Sequence, residues 1–328
     1  MARLSSTANQ TQKTVNRAGG EAFKLSPIEQ LVQIVTTNLM NEPKFYGDVQ
    51  KQMDQCIELV AEKYPEFILK LASYCRNELY LRTVSIYLLV KAANTVPCKK
   101  YVKKYAPFII RRADELYEAL SCQLDLFKKP IPNSLKKGIA VAFKQFDEYH
   151  FAKYSRKTTV KFKDVIMLTH VKQPSELIKK ILDDKLEIPY TWETELSAKG
   201  NTKEVWEQLI DSKKVNYMAL LRNLNNINQA NVSQEHWKKV LNYLGNPEAV
   251  LKSKQMPFRF YSALKNCSIS DPFRQKELMI TLDSALNTSL VNLPKLKGRT
   301  LVVGDSSGSM TSNTISSKST IHCAEIGS

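Results

Sequence analysis

Residues Val215–Asn226 carry the side chains whose chemistry is clearest in this sequence. As a single helix, the segment has an apolar face formed by Tyr217, Leu220, Leu221 and Leu224. The opposite face carries Ala219, Arg222, Asn223 and Asn226, and it has no carboxylate. Guanidinium and amide groups donate directional hydrogen bonds, so this face could bind phosphate oxygens and base edges. The alternative is a solvated helix face that ends in an Asn-rich cap.

A second candidate segment, His150–Lys172, combines positive charge with aromatic rings. The segment has a single acidic side chain, Asp164. Its six basic side chains are Lys153, Arg156, Lys157, Lys161, Lys163 and Lys172. The rings that lie between or beside them are Tyr149, Phe151, Tyr154 and Phe162. Charges that follow phosphates and rings that stack on bases suit single-stranded or irregular RNA. His170 could also stack on a base, but a core histidine and a solvated lysine face are the alternatives.

The loop Asp305-x-Ser307-x-Ser309 has the oxygen chemistry of a hard cation. One carboxylate and two hydroxyls at alternate positions predict part of a Mg²⁺ shell, because Mg²⁺ keeps several waters and needs few protein oxygens. A helix-capping loop is the alternative. The sequence has no P-loop, no GxGxxG, no HExxH and no Ser/His/Asp grouping, so we expect binding and not catalysis.

Composition favours an acidic partner. The chain of 328 residues has a formal net charge of +16, which favours nucleic acid over a membrane surface or an acidic protein, although a merely basic protein is the alternative. The six cysteines are scattered and predict buried thiols. Without an apolar leader or a run of 18 apolar residues, we expect a chain that is neither secreted nor membrane-spanning.

The elements that position these segments are predicted to be helices. Residues 1–21 predict a flexible tail, and Ser26-Pro27-Ile28-Glu29 predicts a capped helix start. Consecutive helices of 10–20 residues then predict an all-α, irregular α-solenoid of HEAT-like hairpins, with no strand before residue 299. Residues 299–304 (RTLVVG) predict a buried strand, and 321–326 predict a helix. Together they would open an α/β domain.

Three motifs in order resemble the Ro 60-kDa autoantigen family, the TROVE-domain proteins. They are Met218–Leu224 (MALLRNL), Asp164–Lys172 (DVIMLTHVK) followed by Pro174-Ser175, and the D-x-S-x-S loop. The resemblance covers about residues 22–328. It implies a ring of HEAT-like repeats over residues 22–295, followed by an incomplete von Willebrand factor A domain over 296–328. It also implies a cytoplasmic monomer.

The resemblance further implies the partners. Small structured Y-like noncoding RNA would bind on the outer surface, and single-stranded 3′ ends of misfolded RNA would enter the central hole, in RNA quality control with an exoribonuclease as a further partner. The RNA-contacting positions fall on Lys153, Lys157 and His170, and Lys157 stands where the family tends to have arginine. The family's metal-ion-dependent adhesion site adds a Thr and an Asp from later loops, so Asp305, Ser307 and Ser309 would form an incomplete Mg²⁺ site. The rival functions are a protein-interaction scaffold with a basic face and a telomerase- or vault-type ribonucleoprotein subunit.

Overall fold

The computed structural model describes residues 13–16, 19–37, 49–155, 158–172, 175–293, 295, 298–301, 303–304, 307–315 and 321–327. The chain divides into two compact units, unit 1 (Met1–Pro189) and unit 2 (Tyr190–Ser328). Both consist mostly of helices, as predicted. Closure of the helices into a ring stays a prediction.

Unit 1 begins with a two-stranded antiparallel hairpin of β1 (Lys13–Val15) and β2 (Glu21–Phe23). Gly19 closes its turn with φ at 83°, a conformation that glycine adopts without strain. This hairpin corrects two expectations, a flexible tail through residue 21 and no strand before residue 299. The strand residues were missed because each strand has three residues, too few for an alternating pattern to stand out.

In the described part of unit 1, ten α-helices follow. They are α1 (Pro27–Thr37), α2 (Val49–Lys63), α3 (Pro65–Asn77), α4 (Thr83–Asn94), α5 (Lys99–Ile109), α6 (Asp114–Cys122), α7 (Asn133–Phe143), α8 (Glu148–Tyr154), α9 (Phe162–Thr169) and α10 (Ser175–Leu182). The predicted capping box before α1 is confirmed, because the Ser26 N–H donates to Glu29 at 2.8 Å and the Glu29 N–H donates to the Ser26 hydroxyl at 3.3 Å. The nearly continuous apolar run of α4 is buried from Val84 to Val90.

A buried ion-pair network joins α3 and α4 to the start of α6. Glu115 is fully buried, and its carboxylate lies 2.8 Å from an Arg76 guanidinium nitrogen and 3.3 Å from the Arg82 Nε. The backbone N–H groups of Arg111 and Arg112 donate to its other oxygen at 2.6 and 3.1 Å. These partners compensate a charge that would otherwise be costly to bury.

The described residues of unit 2 also form ten α-helices. They are α11 (Trp192–Lys199), α12 (Lys203–Asp211), α13 (Tyr217–Arg222), α14 (Leu224–Gln229), α15 (Gln234–Leu244), α16 (Pro247–Ser253), α17 (Pro257–Asn266), α18 (Pro272–Ser289), α19 (Gly308–Ser312) and α20 (Cys323–Gly327). Trp206, Trp237 and Phe260 fill the core of this unit, and α18 packs against α15, α16 and α17. Tyr217 donates its hydroxyl proton to the Leu244 carbonyl at 2.5 Å, which fixes α13 against the end of α15.

The predicted strand at 299–304 is wrong for the residues that the structure describes there. Leu301 and Val303 are 87% and 80% exposed, and neither belongs to a strand. A β-branched run forms a buried strand only where neighbouring strands satisfy its backbone, and none pairs with it in the described part of unit 2. The predicted helix at 321–326 is confirmed as α20. Assignment of this region to a von Willebrand factor A domain stays a prediction.

All six cysteines are free thiols, as predicted, and Cys56, Cys75, Cys98 and Cys267 are buried. Burial raises the pKa of Cys75 and of Cys98 to about 11, so both stay protonated at neutral pH. None of the described helices is both long enough and apolar enough to span a membrane.

Candidate nucleic-acid interface

The segment predicted as one helix, Val215–Asn226, is two short helices joined at Asn223. Asn223 ends α13 and precedes α14, with φ at −99° and ψ at 10°. Its N–H still donates to Ala219, and its carbonyl accepts from Ile227, so the chain bends without losing its backbone hydrogen bonds. The change of direction alters which side chains of the segment face solvent.

Asn223 is a structural residue and does not lie on an exposed face. Its side chain is 3% exposed, donates to the Ala219 carbonyl at 2.8 Å and accepts from the Asn226 amide at 2.9 Å. Ala219 is also buried. The expectation that Asn223 contacts RNA is therefore corrected, because its amide is used up inside the α13–α14 joint.

Arg222 is exposed, as predicted, and it lines a cavity of about 470 Å³ between α13–α14 and α17. We name this the arginine cavity. Its walls come from two helical stripes with the same spacing and from Gln255, Leu224, Cys267 and Ile315. The first stripe is Met218, Leu221, Arg222 and Asn225, and the second is Arg259, Ser262, Ala263 and Asn266. The second stripe repeats at i, i+3, i+4 and i+7 along one side of α17, and the first has the same spacing across the α13–α14 joint.

The arginine cavity is positively charged and lacks any compensating acid. No carboxylate lines it, and within the described chain neither Arg222 nor Arg259 has an ion-pair partner. The Arg259 guanidinium lies 4.9 Å from the Phe258 ring centroid, a cation–π contact that leaves its outer N–H groups free. Burial raises the pKa of the Cys267 thiol to about 11, so this wall stays neutral. Two guanidinium groups beside amides and apolar side chains can bind a phosphate and an adjoining base.

Sequence reasoning missed Arg259 and Asn266. The available signal was their acid-free stripe on α17, which has the same spacing as the stripe around Arg222. Nothing in the sequence pairs two stripes that are offset by 41 residues, because only the packing of α13 and α16 to α18 brings them together.

In the second predicted segment, charged residues collect where α8 ends and α9 begins. The Lys153 Nζ lies 5.6 Å from the Tyr149 ring centroid and 5.8 Å from that of Tyr154. Lys161 precedes α9, and its N–H donates to the Asp164 carboxylate at 2.8 Å. His170 is exposed but lies at the opposite end of α9, where it ends the helix with φ at 55°. Arg156 and Lys157, both predicted RNA contacts, lie outside the described residues.

Two of the four rings predicted to stack on bases belong to the core. Phe151 and Phe162 are buried, and their ring centroids are 5.0 Å apart in an edge-to-face contact. They hold α8 against α9, since aromatic side chains contribute most when buried. Tyr149 is 46% exposed and Tyr154 is half-buried, so Tyr149 is the ring of this segment best placed to meet a base.

The described part of the metal loop supplies two hydroxyls. The Ser307 and Ser309 Oγ atoms lie 3.0 Å apart, and Ser307 precedes α19, while Asp305 lies outside the described residues. In the same described part of the chain, no group of three or more His, Cys, Asp or Glu is placed to hold a metal ion. Two neutral oxygens alone do not fit Mg²⁺, which prefers at least one carboxylate. The Mg²⁺ site therefore stays a prediction that depends on Asp305.

Comparison with known families gives a match over most of the chain. The family model described as the TROVE domain matches residues 31–184 and 182–284. These two stretches contain both candidate RNA-binding segments, His150–Lys172 and Val215–Asn226, but not the metal loop or Ile315.

Among curated proteins, the chain is similar to telomerase protein component 1 of Rattus norvegicus, with 27% identity over 287 residues, and of Mus musculus, with 26% over 292 residues. These alignments cover 61% and 62% of this chain but only 11% of each relative. Among solved structures, the fold is similar to that of the Deinococcus radiodurans Ro (Rsr) protein, with a TM-score of 0.61 and 13% identity. That match covers 82% of this chain and 65% of the other.

Proposed function

This chain belongs to the TROVE-domain family, and on that premise we propose that it binds RNA, with the arginine cavity of unit 2 as the site for a single strand. The observation that carries the proposal is the pair of uncompensated guanidinium groups, Arg222 and Arg259, in a space lined by no acid. The fold shared with a Ro protein supports the same class of ligand.

The chemistry of the arginine cavity favours a single strand over a duplex. Arginine binds a phosphate through two parallel N–H donors, which fixes the direction of the backbone. Of the three amides that line the cavity, that of Asn225 can then pair with the edge of a base, which is accessible only when the base is unpaired. The Gln255 and Asn266 amides already donate to the Ser253 and Ser262 carbonyls, at 3.2 and 2.8 Å. Apolar side chains such as Met218 and Leu221 would cover the base face.

We propose a separate role for unit 1 in binding structured small RNA of the Y-like class. Lys153 and Lys161 would contact phosphates, and Tyr149 would stack on an unpaired base at the edge of a stem. His170 lies at the end of α9, about 12 Å from the start of that helix, and would contact a different part of the same RNA. Lys157 and Arg156 remain proposed contacts from the family resemblance. The same two RNA classes would place the protein in noncoding-RNA quality control.

Binding of a labelled single-stranded RNA of about ten nucleotides, followed by fluorescence anisotropy, tests the cavity. The double variant Arg222→Ala/Arg259→Ala should weaken binding by about tenfold or more, because each lost charged hydrogen bond costs about 1.5–3 kcal/mol. Arg222→Lys keeps the charge but loses the two-pronged geometry, so its affinity should lie between the wild type and the double variant.

Lys238→Ala is the matched control, because Lys238 is an exposed cation of unit 2 that does not line the cavity. Its binding should equal that of the wild type. Equal losses in the control and in the double variant would show that net charge, and not the cavity, determines affinity. Absence of any RNA binding by the wild-type chain would overturn the proposal as a whole and leave the protein-interaction scaffold as the better function.

A ribonucleoprotein subunit is a more specific form of the proposal, and the similarity to telomerase protein component 1 favours it. In that case the chain would copurify from cells with one defined RNA and with other proteins. Crosslinking followed by sequencing of the bound RNA would distinguish it from a quality-control protein, which should yield many different RNAs together with an exoribonuclease.

A further inference from the structure

Helix α18 of unit 2 carries apolar side chains on two opposite sides. On one side, Leu278, Leu282 and Ala285 are buried in the core of unit 2, where α18 packs against α15, α16 and α17. On the other side, Phe273 and Ile280 are 82% and 61% exposed. A surface helix normally has its apolar residues on one side only. The outer side of α18 therefore has the composition of a protein interface.

The exposed residues of this outer side follow a regular spacing. They repeat in alternate steps of three and four residues, with five on α18 and one directly after its end. We name them the outer row: Phe273, Lys276, Ile280, Asp283, Asn287 and Leu290. All six are exposed. Alternate steps of three and four residues form the seam along which two helices pack lengthwise, so the outer row suits a partner helix.

The outer row carries one cation and one anion that are not paired with each other or with neighbours. Among the ion pairs in the described part of unit 2, none includes Lys276 or Asp283, although Asp283 accepts from the Asn287 amide at 3.4 Å. On α18 as a whole, Arg274 and Lys276 balance Glu277 and Asp283, so the helix is neutral within a chain of net charge +16. A neutral apolar surface does not suit a polyanion, which leaves a protein as its partner.

We propose that the outer row binds a second copy of this chain, with the two α18 helices packed antiparallel. Lys276 and Asp283 are seven residues apart, which is two turns and about 10 Å along the helix. A two-fold axis midway between them places Lys276 of each copy opposite Asp283 of the other. The same axis brings Met279 and Ile280 of both copies to the centre of the interface, and both side chains are exposed in the single chain.

The charges determine the direction of the two helices. In a parallel pair, Lys276 would face Lys276 and Asp283 would face Asp283, and like charges across a helix interface are destabilising. An unrelated protein would have to present an acid and a base at this same separation, whereas a second copy supplies both by symmetry. This inference does not depend on the proposed RNA-binding function, and it replaces the monomer that the family resemblance implies.

The size of the interface predicts a weak dimer. A helix of 18 residues is about 27 Å long, and one pair of such helices buries less surface than a standard protein interface. We therefore expect a dissociation constant of about 1–100 μM.

Sedimentation velocity of the full chain at about 1–200 μM tests the inference, after nuclease digestion so that RNA does not bridge two copies. Lys276→Asp places two acids at each end of the interface, and Asp283→Lys places two bases there. Each variant alone should dimerise at least about tenfold more weakly than the wild type. An equimolar mixture of the two should regain the wild-type affinity, because every acid of one variant then faces a base of the other.

The matched controls are Lys203→Asp and Glu204→Lys, which make the same changes of charge at exposed positions of α12 and should dimerise as the wild type does. Ile280→Asp should abolish the dimer by placing two acids at its centre. Circular dichroism checks that each variant folds.

Three results would overturn the inference. A wild type that stays monomeric throughout the concentration range has no such interface, and RNA binding by the arginine cavity would be unaffected by that result. Wild-type dimerisation of Ile280→Asp would place the contact on another surface. A mixture of Lys276→Asp and Asp283→Lys that stays as weak as each variant alone would contradict the antiparallel pairing.

Discussion

The two units of this chain place positive charge in different chemical settings. Unit 1 exposes lysines on the open sides of α5 and α7, and its best-connected arginines, Arg76 and Arg82, are committed to buried acids. Unit 2 does the reverse, because Arg222 and Arg259 are unpaired and line a cavity with three amide side chains. Lysine on an open face attracts a phosphate backbone without fixing its orientation, whereas arginine with amides in a cavity orients one strand and its bases.

The ion pairs of the two units differ in how deeply they are buried. In unit 1 the carboxylates of Asp114 and Glu115 are buried, and burial raises the pKa of the neighbouring Glu118 despite the attraction of Arg82. In the described part of unit 2 the pairs lie near the surface, as where Lys239 meets Asp211 at 2.9 Å and Glu235 at 2.8 Å. Buried ion pairs therefore contribute to the stability of unit 1, whereas the ion pairs of unit 2 lie near the surface and contribute little. The uncompensated charges of the arginine cavity are available to bind a ligand.

The largest expected effect is on unit 1. Glu115→Ala removes the hydrogen-bond acceptor of the Arg76 guanidinium and of the Arg111 and Arg112 backbone N–H groups. It also removes one of the ion pairs of Arg82, which keeps Asp114 and Glu118 as partners. We expect the free energy of unfolding to fall by about 3–5 kcal/mol. Urea unfolding gives this value, and hydrogen exchange should show the loss in α3, α4 and α6. Glu235→Ala, which breaks an exposed pair of unit 2, is the control and should change little. Similar losses in both variants would remove the contrast between the units.

The helices could be predicted from sequence because their signals are local. Ser26 with Glu29, which predicted the start of α1, depends on residues that are only three positions apart. Predictions that depend on distant partners were less successful. The run RTLVVG has strand composition, yet no strand pairs with it in the described residues. Phe151 and Phe162 have the spacing of exposed stacking rings, but their contact with each other places both in the core.

The candidate site was predicted only in part, because some of its residues have local signals in the sequence and others depend on contacts between distant segments. Arg222 was found because its helical face has no acid, and the structure leaves it exposed. The break at Asn223 was missed because an asparagine side chain that bonds the carbonyl four residues earlier has no signature in the sequence. The second wall of the cavity, on α17, comes from the tertiary packing of unit 2.

The second largest effect concerns the close packing of α5 against α7. Gly138→Val should destabilise unit 1 by about 1–3 kcal/mol, because its side chain would overlap Ala106 and Val102 and force the helices apart. Single-strand binding by the arginine cavity of unit 2 should not change. Gly138→Ala should cost less, since the gain in helix propensity of about 1 kcal/mol offsets a smaller overlap. Thermal unfolding and anisotropy on both variants would check this, and equal stability of the valine variant and the wild type would contradict it.

A smaller effect should arise at the bend beside the arginine cavity. Asn223→Ala removes a donor to the Ala219 carbonyl and the acceptor of Asn226, so stability should fall by about 1–2 kcal/mol. Single-strand affinity should fall too, because the bend holds Arg222 and Asn225 toward the cavity, whereas the binding of structured RNA by unit 1 should be unaffected. Asn226→Ala removes one of the two hydrogen bonds and is the graded control. A loss of single-strand affinity as large in Asn226→Ala as in Asn223→Ala would show that the buried asparagine does not position the cavity wall.

The smallest expected effect is local. It tests whether the wall of the arginine cavity depends on the segment that carries Ile315. Ile315 lines the arginine cavity, and the adjoining Thr314 pairs with His322 beside α20. Glu325 fixes α20 to α17, because its carboxylate accepts from Lys265, from the His322 N–H at 2.9 Å and from the Tyr261 hydroxyl at 2.8 Å.

These donors lower the pKa of Glu325 to about 2, with the Lys265 contact as the largest cause. A carboxyl whose pKa is lower in the folded than in the unfolded state stabilises the fold above its ordinary pKa of 4.5, and this contribution disappears as the pH falls toward 2. Amide exchange of residues 321–327 should therefore accelerate, relative to the intrinsic rate, as the pH falls from about 4.5 to 2. Glu325→Gln should show the accelerated exchange already at neutral pH, and Glu248→Gln, which changes an exposed acid elsewhere in unit 2, should not. If the two variants exchange alike, the carboxylate does not hold α20, and the wall that Ile315 adds to the cavity depends on the burial of Ile321 instead.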